Sequence, residues 1–169
     1  AAVKQGIDSA VPRLGAALLD SDPTVRVVAI QTLAEFHKPL LVDDILALLG
    51  SGSEEVDHAV IRALGLMGAR QAENSLLEYL ENTSPTGRIE YALLETLGKI
   101  SAASASKLIC SRYLSSDVVD IRRLAVETLG RLGDASSLKA VESALGDRHW
   151  SVRVAALQVM GSLGGVWEI

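Results

Sequence analysis

The chain says nearly the same thing five times. Val25–Ala34 (VRVVAIQTLA), Val56–Gly65 (VDHAVIRALG), Ile89–Gly98 (IEYALLETLG), Ile121–Gly130 (IRRLAVETLG) and Val152–Gly161 (VRVAALQVMG) begin 31, 33, 32 and 31 residues apart. An upstream apolar anchor accompanies each, at Leu14, Ile45, Leu76, Ile109 and Val141, and eleven residues separate the end of one copy from the next anchor. Self-similarity at a period of about 20–50 residues marks an array in which each unit buries its apolar face only against its neighbours.

Both halves of each unit carry helical spacing, so the repeat is a helix hairpin with an outer and an inner helix. Outer helices are predicted near 10–20, 40–49, 71–81, 104–114 and 137–145, and inner helices near 22–36, 54–67, 87–100, 118–132 and 150–163. Pro12 is read as an early residue of the first outer helix, and residues 1–9 match no preceding unit. Asp22 is the expected N-cap of the first inner helix, with Pro23 as its first residue. Gly-x-apolar-Gly endings (Gly65 to Gly68, Gly130 to Gly133, Gly161 to Gly164) place a glycine where a left-handed C-cap is wanted, with Ser101 and His37 standing there in the third and first units.

Counting the first residue of each copy as position 0, positions 0, 3, 4, 7, 8 and 11 are apolar or small throughout, with threonine at position 7 in three copies. Position 5 is apolar too: Ile30, Ile61, Leu94, Val126 and Leu157. A helix on the surface of one core needs a single stripe. The added width predicts that each inner helix touches both its own partner and the next unit.

Hydrophobic residues make up 49% of the chain and aromatics 4%, so aliphatic side chains must fill the core. A net charge of −5 without a basic block speaks against nucleic acid or an anionic membrane as the partner. No apolar run approaches the roughly 18 residues of a membrane span, and the beginning lacks the layout of a secretory signal. The single cysteine, Cys110, beside the Ile109 anchor, reads as a buried structural thiol and is compatible with a reducing compartment. The expectation is a soluble, cytoplasmic chain: one repeat domain over residues 1–169, with units at 10–38, 39–70, 71–103, 104–135 and 136–165, cut from a longer array.

Asp22-Pro23-Thr24-Val25-Arg26, Ile121-Arg122 with Leu129-Gly130-Arg131-Leu132-Gly133, and Val152-Arg153 with Met160-Gly161-Ser162-Leu163-Gly164 resemble the HEAT repeat. The likeness is to the short HEAT-like type named after phycobilisome lyases, and it covers residues 10 to 165. It implies an all-α, right-handed solenoid of about five hairpins. Proteins of this kind include scaffolds, chaperone-like subunits, bilin lyases, a metal hydroxylase and a DNA glycosylase. The resemblance further implies a ladder between units in which the arginine after the anchor valine pairs with a turn aspartate. Arg26, Arg122 and Arg153 with Asp22, Asp117 and Asp147 would form it. Asp57 and Glu90 stand where the second and third units should have arginine, giving either drift at a tolerant position or an acidic strip that selects a basic partner.

Positions 2 and 6 should face solvent on the concave side. The central units place His58, Arg62, Tyr91, Glu95, Arg123 and Glu127 there, while the outer units carry Val27, Gln31, Val154 and Gln158. Tyrosine and arginine are enriched among interface anchors, and mixed charges at this spacing also satisfy one another within a helix. His37, His58 and His149 lie far apart in sequence, and the His-Glu pairs of the HEAT-type hydroxylases are missing. No metal, cofactor or catalytic residue is expected. Trp150, at the start of the last inner helix, is expected to pack on a neighbouring unit, and Trp167 to cover the last unit or meet a missing one. The leading expectation is an interaction module that holds another protein, or further domains of a longer chain, on its concave face without catalysis. The alternative, resting on the resemblance, is a lyase- or isomerase-type subunit handling an open-chain tetrapyrrole on a phycobiliprotein.

Overall fold

Asp22 and Pro23 show how an inner helix begins. The Asp22 carboxylate accepts the Thr24 amide at 2.8 Å, and Pro23 supplies a first residue already fixed at a helical φ. Ser53 starts the next inner helix by accepting the Val56 amide at 3.4 Å. At the other ends Gly68 and Gly133 adopt the left-handed conformation, both at φ +63°, and send their amides back to Gly65 and Leu64, and to Leu129. Ser101 takes the same conformation at φ +57°, where its Cβ costs about 1 kcal/mol. Gly164 and His37 fall outside the described residues.

The computed structural model describes residues 2–36, 41–85 and 87–162, the side chains of 2–9 excepted. Among them run α1 (Ala2–Ala17), α2 (Pro23–Glu35), α3 (Val42–Leu46), α4 (Glu54–Met67), α5 (Glu73–Thr83), α6 (Gly87–Lys99), α7 (Ser106–Tyr113), α8 (Val119–Leu132), α9 (Leu138–Ser143) and α10 (Trp150–Ser162). No strand occurs among these residues. Short 3₁₀ turns lead into α5, α7 and α9 at Arg70–Ala72, Ala103–Ala105 and Ala135–Ser137. The all-α class and the hairpin repeat read from the sequence hold, and α4 has the predicted bounds.

Two boundaries differ. Helix α1 begins at Ala2 and carries Pro12 in its interior, so Pro12 does not mark its start. Helix α3 is only five residues long, and turns at 47–50 complete the outer segment.

The chain forms two compact bodies, residues 1–96 and 97–169, divided inside α6. In the first, Leu18, Ile30, Leu33, Ile45, Ile61, Leu64, Leu76 and Leu80 are fully enclosed. In the second, Ile109, Tyr113, Ala125, Val126, Leu129, Val141 and Val152 are. Burying one large aliphatic side chain contributes about 1.5–3 kcal/mol, so these rows hold each body together. Position 5 behaves as its apolar character predicts in the first four units: Ile30, Ile61, Leu94 and Val126 are fully buried. Leu157, at the same position of α10, is 61% exposed.

Position 9 sets how closely inner helices approach. A Cβ built on Gly65 would lie 2.6 Å from the Thr96 hydroxyl, and one on Gly130 would lie 2.5 Å from a Val159 methyl. Thr96 and Val159 each hold position 7 of the following copy. The Thr96 hydroxyl also donates to the Ile61 carbonyl at 3.0 Å, tying α6 to α4. At both of these joints a small β-branched side chain is seated over a glycine.

Candidate functional site

The first body carries four of the six predicted partner-binding residues. On α4, Arg62 is exposed and His58 is half-buried. Burial, then the nearby Arg88 and Arg62 cations, pull the His58 pKa below its ordinary 6.5, so the ring is neutral at pH 7. On α6, Tyr91 is 40% exposed and Glu95 half-buried. Arg88 donates to Glu54 at 3.0 Å and to Glu55 at 3.4 Å, bridging α6 and α4. Residue spacing carries no signal for this bridge, since it joins exposed charges 33 and 34 residues apart.

The second body carries the other two. Arg123 on α8 lies between Asp120, at 3.7 Å, and Glu127, to which it donates. These are i,i+3 and i,i+4 pairs, the intrahelical satisfaction that mixed signs at helical spacing allow. Next to them, a shallow hollow of about 390 Å³ is lined by Glu127, Gly130, Arg131, Ala155, Gln158 and Val159.

The arginines of the predicted ladder sit where expected but choose different partners. Arg26 donates to the carbonyls of Asp20 and Ser21 at 2.7 and 3.1 Å, while the Asp22 carboxylate is the helix cap. Arg153 donates to the Asp147 carbonyl at 2.9 Å. Arg122, 3% exposed, does both jobs. It donates to the carbonyls of Ser116 and Asp117 at 2.6 and 3.3 Å, and makes a two-pronged pair with the Asp147 carboxylate at 2.8 and 3.1 Å. That pair, helped by the His149 amide, outweighs the opposing effect of burial and leaves the Asp147 pKa below its ordinary 3.8. The Asp117 carboxylate faces solvent and meets Arg148 at 3.4 Å instead.

The acidic strip does not form as read. Asp57 is 6% exposed and therefore withdrawn from any partner. Its carboxylate accepts the Gly50 amide at 2.7 Å and the Tyr79 hydroxyl, from α5, at 2.9 Å. Burial and these contacts push the Tyr79 pKa up to about 12. Glu90 is half-buried on α6. Trp150 also departs from expectation: it is 64% exposed, its ring 5.8 Å from that of His149. Cys110 is half-buried, and burial followed by the Asp134 carboxylate raises its pKa, keeping it a protonated thiol. His37 and Trp167 lie outside the described residues.

The family model for HEAT repeats matches residues 42–123 and 106–167. The chain belongs to the HEAT-repeat family. No curated protein matches it. Among solved structures it is similar to the complex of CpcE and CpcF of phycocyanin lyase from Nostoc sp. PCC7120. The TM-score is 0.66 at 24% identity, over 93% of this HEAT-repeat chain. The chain spans 65% of the length of that solved chain. Among its described residues no helix is long and apolar enough to cross a membrane.

Proposed function

We propose that the chain is a protein-binding scaffold that holds a partner on the exposed faces of its inner helices and performs no chemistry of its own. The observation that carries this reading is Tyr91, a 40% exposed aromatic on α6 of a chain with 4% aromatics, on the inner-helix row that also carries Arg62 and His58. A half-exposed tyrosine on a row that also holds an exposed arginine is the kind of anchor that dominates binding energy. Arg123 and Glu127 neutralise each other on α8, which makes them secondary contacts.

The test is affinity capture from the source organism with the intact chain beside an Arg62→Glu/Tyr91→Ala variant, and with Arg123→Glu as a third bait. A partner held by the intact chain, lost by the double variant and largely kept by Arg123→Glu is the expected result. Equal capture by all three would place binding elsewhere, and circular dichroism checks that each variant stays helical.

The solved phycocyanin lyase complex favours a second reading, in which this chain is a subunit that presents an open-chain tetrapyrrole to a phycobiliprotein. Mixing the chain with a free bilin and an apo-phycobiliprotein tests it. A shifted bilin absorbance and faster covalent attachment support the reading; an unchanged spectrum and rate retire it.

A further inference from the structure

Tyr79 and Ala144 each stand three residues after the anchor of their outer segment, Leu76 and Val141, and so hold the same place in the repeat. In the first body the tyrosine side chain reaches from α5 to α4, where its hydroxyl donates to the Asp57 carboxylate at 2.9 Å. The groove left outside it is lined by Leu46, Ala47, Leu49 and Tyr79 itself. Ile61 and Ile89, buried in the core, take no part in that lining.

In the second body a methyl group replaces that ring, and the surrounding positions are smaller too. Val126 stands for Ile61, Val152 for Ile89, Ala140 for Ser75 and Ser143 for Glu78. The result is a hollow of about 330 Å³ that reaches down to Val126 and Val152, with Leu114, Ala140, Ala144 and Asp147 among its walls. A space of this size is at the small end of pockets that take small molecules, about 300–1,000 Å³. Its walls come from α7, α8, α9 and the start of α10, so the chain itself flanks it on both sides. Ser162, where the described part of α10 ends, is about 15 Å along that helix from Val152.

Asp147 decides the chemistry of an occupant. Its Oδ1 accepts the His149 amide at 2.7 Å and an Arg122 N–H at 3.1 Å, while Oδ2 accepts one Arg122 N–H at 2.8 Å. A carboxylate has about four acceptor sites, so among the described residues Oδ2 keeps one for a further donor. Arg122 already balances the charge, which leaves no demand for a cation, and the carboxylate itself repels an anion. A neutral hydroxyl on an apolar ring meets both conditions, as Tyr79 does against Asp57. We propose that the hollow at Ala144 binds a small neutral phenol, its ring against Val126 and Val152 and its hydroxyl donating to Asp147. The ligand supplies from outside the group that Tyr79 supplies from within the chain. A substituent para to the hydroxyl points out between Ser143 and Gly146, which are exposed.

Titrating the 169-residue chain with 4-methylphenol tests this. The melting temperature should rise with the concentration of the phenol. In a carbon–proton correlation spectrum the methyl signals of Val126, Ala140, Ala144 and Val152 should shift, while those of Val56, Val60 and Ile61 stay in place. Toluene, which has the ring without the donor, should bind about tenfold more weakly. Ala144→Tyr should fill the hollow from within, melt about 2–4 °C above the parent and no longer respond to the phenol. Ala144→Leu, which fills it without a hydroxyl, should also abolish the response. A parent whose melting temperature and methyl signals do not move overturns the proposal. So do shifts centred on other methyl groups, equal binding of toluene, or a response that survives both substitutions.

Discussion

Asp57 in the first body and Arg122 in the second occupy the same place in their repeats, one residue after the anchor, and carry opposite charges. Both are almost wholly buried. Arg122 collects the Ser116 and Asp117 carbonyls of its own turn and reaches the Asp147 carboxylate of the next. Asp57 collects the Gly50 amide of its own turn and reaches the Tyr79 hydroxyl of the next outer helix. The position therefore demands two tasks: to satisfy the backbone of its turn, and to link to the following unit. The sign of the charge follows from whether the turn presents carbonyls or an amide. Where it presents an amide, an acceptor replaces the usual donor, and the partner changes from a carboxylate to a phenol.

The largest effect should come from the arginine. Arg122→Met removes five donors, strands Asp147 and uncovers two turn carbonyls; a loss of about 3 kcal/mol is expected in urea unfolding, as for a buried pair deprived of one member. Asp57→Ala should cost less, about 2 kcal/mol, since it leaves a buried amide and a phenol unsatisfied. Asp57→Asn retains an acceptor for the Gly50 amide and should recover most of that loss; failure to recover it would mean the negative charge itself is required. Tyr79→Phe removes one hydrogen bond and should cost about 1 kcal/mol.

The smallest and most discriminating difference is in pH. Asp147 is held below its ordinary 3.8 by Arg122, so this contribution is fully present above 3.8 and is lost as pH falls through the lower folded value. Tyr79 is raised from 10.0 to about 12, so its contribution is fully present below 10.0 and is lost as pH rises toward 12. The two links should thus weaken at opposite ends of the scale. Hydrogen exchange across acid and alkaline series would show it, with α8 and α10 loosening first in acid and α4 and α5 first in alkali. Simultaneous loosening at both ends would break the comparison.

Much of this is legible in the sequence. The five copies place ten helices, the caps at Asp22, Gly68 and Gly133, and the buried position 5 of the first four copies, because periodicity and capping are local properties that a sequence records directly. What escaped depends on partners far along the chain. Arg26 and Arg153 were read as pairing with carboxylates, yet an arginine fork serves turn carbonyls equally well, and the sequence does not show which way those carbonyls point. Asp57 looked like a surface charge because Tyr79, which receives it, lies 22 residues away. Helix α1 was placed too late because the expectation rested on likeness to another copy, which Ala2–Ser9 lack. Residue spacing puts His58, Arg62, Tyr91, Glu95, Arg123 and Glu127 on the inner helices, but carries no trace of the Arg88 bridge to Glu54 and Glu55, whose long side chains span between helices.

The seat at position 9 has a consequence for how such a chain can change its length. At Gly65 and Gly130 the joint needs only a glycine on one helix and a compact β-branched residue on the next, and nothing in it refers to a particular unit. Duplicating or deleting a whole hairpin leaves every remaining joint intact, whereas adding even one methyl group at Gly65 or Gly130 disturbs a joint directly. Descendants of this sequence can therefore gain or lose hairpins more easily than they can exchange a single glycine for alanine.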